Sequence, residues 1–158
     1  DRSEIDLWVK KFPKGKERSA LLMALRIVQR RWGWLNEERM NAVADYLKIP
    51  RVYAYEVATF YSMYHRKPVG KYCLRVCNSI SCALRGSKHL LTYLEDSLKI
   101  KEGETTQDGL FTIEEAECMA DCTAAPMMVV NDDEYRNNLT RDKVDALLDE
   151  LRTRKNSE

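Results

Sequence analysis

The chain lacks most of the signatures that would place it at once. It has no Cys-x-x-Cys pair, so a thioredoxin-type dithiol site is excluded. It has no GxGxxG, and only six glycines lie scattered through it, so a nicotinamide or flavin nucleotide must be held elsewhere. The longest unbroken apolar run, Ala20–Leu25, falls far short of the roughly 20 residues that span a bilayer, and no direct membrane insertion is expected. The opening stretch DRSEIDLWVKKF has no apolar h-region of the kind that marks a secretory signal. A net charge of +1 supplies no field to draw nucleic acid, and no nucleic-acid partner is expected. There is no internal repeat and no low-complexity tract.

What remains is the composition of a soluble globular protein of 158 residues, 44% apolar and 32% charged, long enough for one ordinary domain or two small ones. Its unusual content is cysteine. There are five, and four fall into two close pairs, Cys77-x4-Cys82 and Cys118-x3-Cys122, with 35 residues between the pairs. A secreted disulfide framework would favour a smaller chain and an even count.

The first third reads as helical. In Glu17–Arg31, Leu21, Ala24, Leu25, Ile27 and Val28 share one face at helical spacing, and Gly33 is a natural left-handed stop. Asn36 caps a second helix with Met40, Val43, Ala44 and Leu47 as its stripe, although Arg39 stands where a capping box wants Glu. Pro50 opens a third helical segment running to about Tyr64. Its aromatic run, Tyr53, Tyr55, Phe60, Tyr61 and Tyr64, suits packing within the bundle better than a docking surface. His65–Gly70 reads as the connection between domains.

From Lys71 the period changes to two. Tyr72, Leu74 and Val76 alternate with Lys71 and Arg75, which predicts a half-buried strand. Residues 83–100 read as a helix with Leu90, Leu91, Leu94 and Leu98 inward, weakened near its start by Gly86. Asp108-Gly109 turns the chain into a strand at Leu110–Ile113, and residues 126–130 form another, with a hairpin return around Tyr135. A last helix opens after Thr140, with Val144, Leu147, Leu148 and Leu151 as its stripe. The order β-α-β-β-α outlines a small thioredoxin-like domain.

The x4 and x3 loops are wider than the Cys-x2-Cys turns of most zinc ribbons. They suit a larger object with two thiolates on each edge, such as a [2Fe–2S] rhomb, although a zinc site or spare thiols also stay open. Cys73 lies four residues before Cys77 on the same strand, with Cα atoms roughly 13 Å apart. That is too far for adjacent corners of one small cluster, so Cys73 is left out as a buried thiol.

The pattern Cys77-x4-Cys82…Cys118-x3-Cys122, followed by Ala125-Pro126 and MVVNDDEY, resembles the small [2Fe–2S] subunit of the NADH dehydrogenase module of respiratory complex I. YEVATFYSMYHRKPVGKY (Tyr55–Tyr72), GWLNEERMNAVADYL and KEGETTQDGLFT resemble it too, and the match runs from about Leu22 to Leu151. The resemblance implies an α+β chain, with an N-terminal helical bundle over 1–66 and a thioredoxin-like [2Fe–2S] ferredoxin domain over 67–158. It implies cluster ligands at Cys77 and Cys82 on one iron and Cys118 and Cys122 on the other. It also implies one-electron exchange with a larger flavoprotein subunit that binds FMN and NADH, so that this chain alone carries no complete active site of the NADH:quinone oxidoreductase. The expected location is cytoplasmic and peripheral on the inner membrane, or the mitochondrial matrix side in a eukaryote. Similar subunits serve NAD-linked hydrogenases and formate dehydrogenases, and a structural four-cysteine zinc module is the alternative of a different class. One departure stands out: the family usually has Gly at the middle of the second loop, where this chain has Ala120, and a positive φ there would strain it. Glu114, Glu115, Glu117 and Asp121 crowd the same loop, and their charge predicts a low-potential cluster.

Overall fold

The computed structural model of the chain describes residues 1–155. It divides into two compact units, Asp1–Pro68 and a second that begins at Val69.

The first unit is built of four helices. Helix α1 (Arg2–Val9) is an element that periodicity missed, because Ile5 is its single buried side chain. It is tied to the unit by the Tyr46 hydroxyl, which donates to Asp6 at 2.6 Å. Helix α2 (Leu21–Trp32) is preceded by one 3-10 turn over Glu17–Ala20, so the α-helix starts four residues later than its apolar face suggested. Gly33, at φ 80°, ends it as expected. Asn36 caps α3 (Glu37–Tyr46) by accepting from the Arg39 amide at 2.9 Å. The Arg39 side chain turns back to the Trp34 carbonyl at 2.9 Å, so it closes the helix entrance from the position a capping-box Glu would hold.

Helix α4 (Val52–Phe60) is shorter than the sequence pattern suggested, because Tyr61 is already extended. Leu21, Leu25, Leu35, Met40, Val43, Ala44 and Leu47 are buried at the centre of this unit. Tyr64 joins them, and its hydroxyl donates to the Leu22 carbonyl at 2.7 Å. Phe60 does not: it is 81% exposed, so the aromatic run is not uniformly a packing stripe. Gln29 holds the exit segment at both ends of its amide, donating to the Met63 carbonyl and accepting from the His65 amide, each at 2.7 Å.

The second unit is a four-stranded mixed sheet with helices. Strand β1 (Tyr72–Cys77) is central; β2 (Phe111–Ala116) pairs parallel to it, and β3 (Met128–Val130) pairs antiparallel on its other side. Strand β4 (Glu134–Arg136) completes the sheet as the hairpin partner of β3. The single predicted helix after Cys82 is two, α5 (Ile80–Leu84) and α6 (Ser87–Leu98), because Gly86 adopts φ 91° between them. With α7 (Arg141–Lys155), α6 covers one sheet face, where Tyr72, Leu74, Val76, Phe111 and Ile113 pack with Leu90, Leu94, Val144, Leu147, Leu148 and Leu151.

All six residues of β1 are buried, so the half-buried reading fails. The alternation was real, but the charged member is neutralised rather than solvated. Arg75 donates through Nε (3.2 Å) and Nη2 (2.9 Å) to Glu114 on β2, and through Nη1 to Asp132 in the β3–β4 turn (2.5 Å). Its side chain is 6% exposed. A buried charge is tolerable only when paired in this way.

Candidate metal centre

Parallel pairing brings the two cysteine pairs to one place. Cys77, the last residue of β1, stands in register with Ala116, the last residue of β2. Because the strands run the same way, both chains leave the sheet at the same end. The Asn78 amide extends the ladder one step by donating to the Ala116 carbonyl at 2.8 Å. Cys118 follows two residues later. The first loop leads into α5, which carries Cys82; the second leads through a 3-10 turn, Cys122–Ala124, and a cis Ala125–Pro126 bond back to β3.

The two loops close over each other. Cys77 and Cys82 are buried in a small cluster with Ala125, Met127 and Val129, and Met119 of the second loop packs against it. The Cys77 amide donates to the Met127 carbonyl at 3.2 Å. Burial pushes the Cys82 thiol up to about 11, and the Cys77 side chain hydrogen-bonded to it adds to the rise. Cys122 contributes to the same rise, so Cys77 from its own loop and Cys122 from the other both lie within electrostatic reach of Cys82. Cys118 and Cys122 are exposed, which leaves one half of the group buried and the other at the surface.

Ala120 has φ 59°, the left-handed conformation that Cβ disfavours. That turn aims its amide at the sulfur of Cys118, 3.4 Å away. An N–H directed at a sulfur is what a thiolate ligand uses to spread its charge. The departure from glycine therefore sits at the left-handed position of the Cys118–Cys122 loop.

All five cysteines are unbridged, so the disulfide reading has no support in the fold. Four soft sulfur donors, offered in pairs by two loops, fit a [2Fe–2S] cluster. A half-buried setting with a backbone donor on the exposed side suits that cluster better than a bare pair of thiols. Cys73 lies further back along β1 beside Arg75, with its thiol pushed well up by burial and by Glu114. The four acidic residues do not form one patch. Glu114 is paired with Arg75, Glu115 accepts from the Asn78 side chain, and Asp121 accepts from Asn137 and Thr123. Glu117 is exposed. The Asn137 contact went unseen in the sequence, because nothing in the spacing of a residue beyond β4 marks it as a neighbour of the second loop. Ile80 and Leu84, exposed on the same short helix as Cys82, were equally unmarked.

A mixed sheet with two helices on one face, and cysteine loops at the end of two parallel strands, defines a ferredoxin of thioredoxin-like build. The family model for thioredoxin-like [2Fe–2S] ferredoxins matches residues 5–152, and the chain belongs to that family. Within it, the chain is 44% identical over 151 residues to the E-2 subunit of NADH-quinone oxidoreductase from Rhizobium meliloti (strain 1021), covering 96% of this chain and 88% of that one. It is 44% identical over 144 residues to the E subunit of NADH-quinone oxidoreductase from Rickettsia conorii, covering 90% and 86%. Among solved structures, the NAD+-reducing [NiFe]-hydrogenase in its air-oxidised state superposes with a TM-score of 0.73 at 19% identity, over 85% of this chain and 23% of that one. The hydrogenase likeness is one of fold. The resemblance carried by the cysteine loops and the Tyr55–Tyr72 run thus extends over nearly the whole chain.

Proposed function

We propose that this chain is the electron-transfer subunit of an NADH:quinone oxidoreductase, holding one [2Fe–2S] cluster on Cys77, Cys82, Cys118 and Cys122. The observation that carries the reading is the arrival of two unbridged cysteine pairs at the shared end of parallel strands β1 and β2. The kinship with E subunits of that enzyme supports the assignment to this complex. When bound, the cluster supplies one-electron redox chemistry and takes no hydride.

The chain's own residues define what surrounds it. Cys77 and Cys82 keep one side dry among Ala125, Met127 and Val129. The Ala120 amide, directed at the Cys118 sulfur from 3.4 Å, is a hydrogen bond of the kind that sets the potential of a thiolate-held cluster. The exposed second loop leaves a short path for an electron to a partner surface. That partner is a larger flavoprotein subunit, which holds FMN and NADH. Ile80 and Leu84 on the Cys82 helix are apolar and exposed, in keeping with a face that another protein covers. No helix among the described residues is long and apolar enough to cross a membrane. The chain sits peripherally on the inner membrane as part of the complex, in keeping with its kinship. Its two domains are the helical bundle and the ferredoxin domain, and the compact units that meet between Pro68 and Val69, two residues beyond the expected boundary at 66/67, support that division.

Metal and sulfide analysis of the purified chain tests the reading. About two irons and two acid-labile sulfides per chain, with a paramagnetic signal on reduction, are expected. About one zinc and no colour would replace it with a structural zinc module. Serine at each of Cys77, Cys82, Cys118 and Cys122 should abolish or alter the signal, whereas Cys73→Ser should leave it unchanged.

A further inference from the structure

The two halves of the proposed cage are held in different ways. Cys77 is fixed by the β1 ladder, and Cys82 by its buried place on α5. Cys118 and Cys122 sit on an exposed loop whose middle residue is strained. Something outside the loop must keep it in shape, and residues 137–139 run alongside it. The Asn138 amide donates to the Ala124 carbonyl at 2.7 Å, and the Leu139 amide to the Pro126 carbonyl at 2.9 Å. Asn138 is itself left-handed, at φ 49°, a conformation that Asn adopts more readily than most residues.

Asn137 adds a side-chain contact from this strap to the loop. Its Nδ2 donates to Oδ2 of Asp121, the residue between Ala120 and Cys122. The other Asp121 oxygen accepts from the Thr123 hydroxyl at 3.3 Å, and the Asp121 carbonyl accepts from the Ala124 amide at 3.2 Å. Asp121 is thus the pin of the loop, bonded to its own turn on one side and to the strap on the other. Asn137 Oδ1 is buried with no partner among the described residues. The amide is therefore oriented by its donation to Asp121, since the reverse orientation would set two acceptors against each other.

We infer that Asn137 is a positioning residue for the cluster: through Asp121 it holds the exposed ligand loop in the shape that keeps Cys118 and Cys122 convergent, and so sets how readily iron is lost from that half. This rests on the ligand assignment proposed above. Its signature is polarity rather than packing, because a donor must face the carboxylate.

The test uses the full chain carrying its cluster, and reads the loss of visible absorbance and of the paramagnetic signal under a constant excess of an iron chelator. Asn137→Asp puts a second carboxylate opposite Asp121, and cluster loss should quicken by at least about tenfold, the scale of a charge-assisted hydrogen bond. Asn137→Ala should quicken it less, because no like charge replaces the donor. The double variant Asn137→Asp/Asp121→Asn restores a donor–acceptor pair with its polarity reversed, and should recover most of the lifetime. A packing role for Asn137 independent of its bond to Asp121 would leave the swap unrescued. Lifetimes of Asn137→Asp equal to the parent's, or a double variant as labile as the single one, would overturn the inference. Circular dichroism on the apo chains separates misfolding from a loosened loop. Cys118→Ala and Cys122→Ala run in parallel, since alanine offers iron no donor atom: unchanged iron content and signal in both would sink the ligand assignment itself, an outcome distinct from failure of the swap.

Discussion

Replacing Arg75 by Met should be among the most damaging single changes outside the cysteines. The methionine keeps the bulk of the side chain and removes its charge. Its hydrogen bonds disappear, among them two to Glu114 and one to Asp132. The two carboxylates left behind have side chains only 23% and 19% exposed, so water cannot fully replace the guanidinium. Breaking a buried ion pair from one side costs about 3–5 kcal/mol. Burying an apolar side chain in the same space returns about 1.5–3 kcal/mol at best, and less here because the arginine stem was already buried. The net loss should be about 2–4 kcal/mol, a large share of the 5–15 kcal/mol typical of a whole domain.

Urea titration followed by far-ultraviolet circular dichroism measures the change, provided the m-value holds. The decisive comparison is Arg75→Met/Glu114→Gln/Asp132→Asn, which removes all three charges together. If the damage comes from stranded carboxylates, the triple variant should be more stable than the single one. A single variant within about 1 kcal/mol of the parent, or a triple variant no better than the single, would refute the reasoning.

Ala120→Gly should stabilise the chain by about 0.5–1 kcal/mol, since relief of left-handed strain of about 1–2 kcal/mol outweighs the extra unfolded-state freedom of glycine. A melting temperature raised by about 1–4 °C checks it, and a lowered one would count against strain at this position. Ala120→Pro should do the opposite and shorten the cluster's lifetime, because proline fixes φ near about −65° and removes the N–H directed at Cys118. Burial pushes the Tyr64 hydroxyl up to about 12, against a smaller opposing effect of Arg26. Its contribution is fully present below the ordinary tyrosine value near about 10 and is lost as pH rises towards about 12; discounted for partial screening it amounts to about 1–2 kcal/mol. Tyr64→Phe should therefore cost about 1 kcal/mol at neutral pH, through the lost bond to Leu22, and flatten stability between about pH 10 and 12 in denaturant titrations. Stripping the cluster with a chelator should leave the helix and sheet signals largely intact, because the core between the sheet and helices α6 and α7 contains none of the four ligands. Protease sensitivity should then appear in the second loop, and cleavage spread over the whole chain would contradict this.

Local pattern determined a great deal here. The helical faces of α2 and α3, the Gly33 stop and the Asn36 cap were legible because a 3.6-residue period and a cap involve residues only a few positions apart. The two cysteine pairs were legible as a donor set for the same reason: each loop is short, and sulfur chemistry narrows what it can hold. Helix α1 was not legible, because one buried residue leaves almost no periodic signal. The split between α5 and α6 was visible only as an ambiguous glycine, since a left-handed φ is a choice of backbone that spacing does not record.

The tertiary structure decided what depends on pairs far apart in the chain. Parallel pairing of β1 with β2 set Cys77 beside Ala116, and so brought together loops separated by 35 residues. Register also gave Arg75 its two carboxylates, turning what reads as a solvated position into a buried, neutralised one. Asn137 acquired its place against Asp121 only through the β3–β4 hairpin and the turn that follows it. Residue identity carries the chemistry each side chain has to offer, whereas sheet register and loop closure choose which of those chemistries meet, because both are set by burial of the whole core rather than by neighbours in sequence.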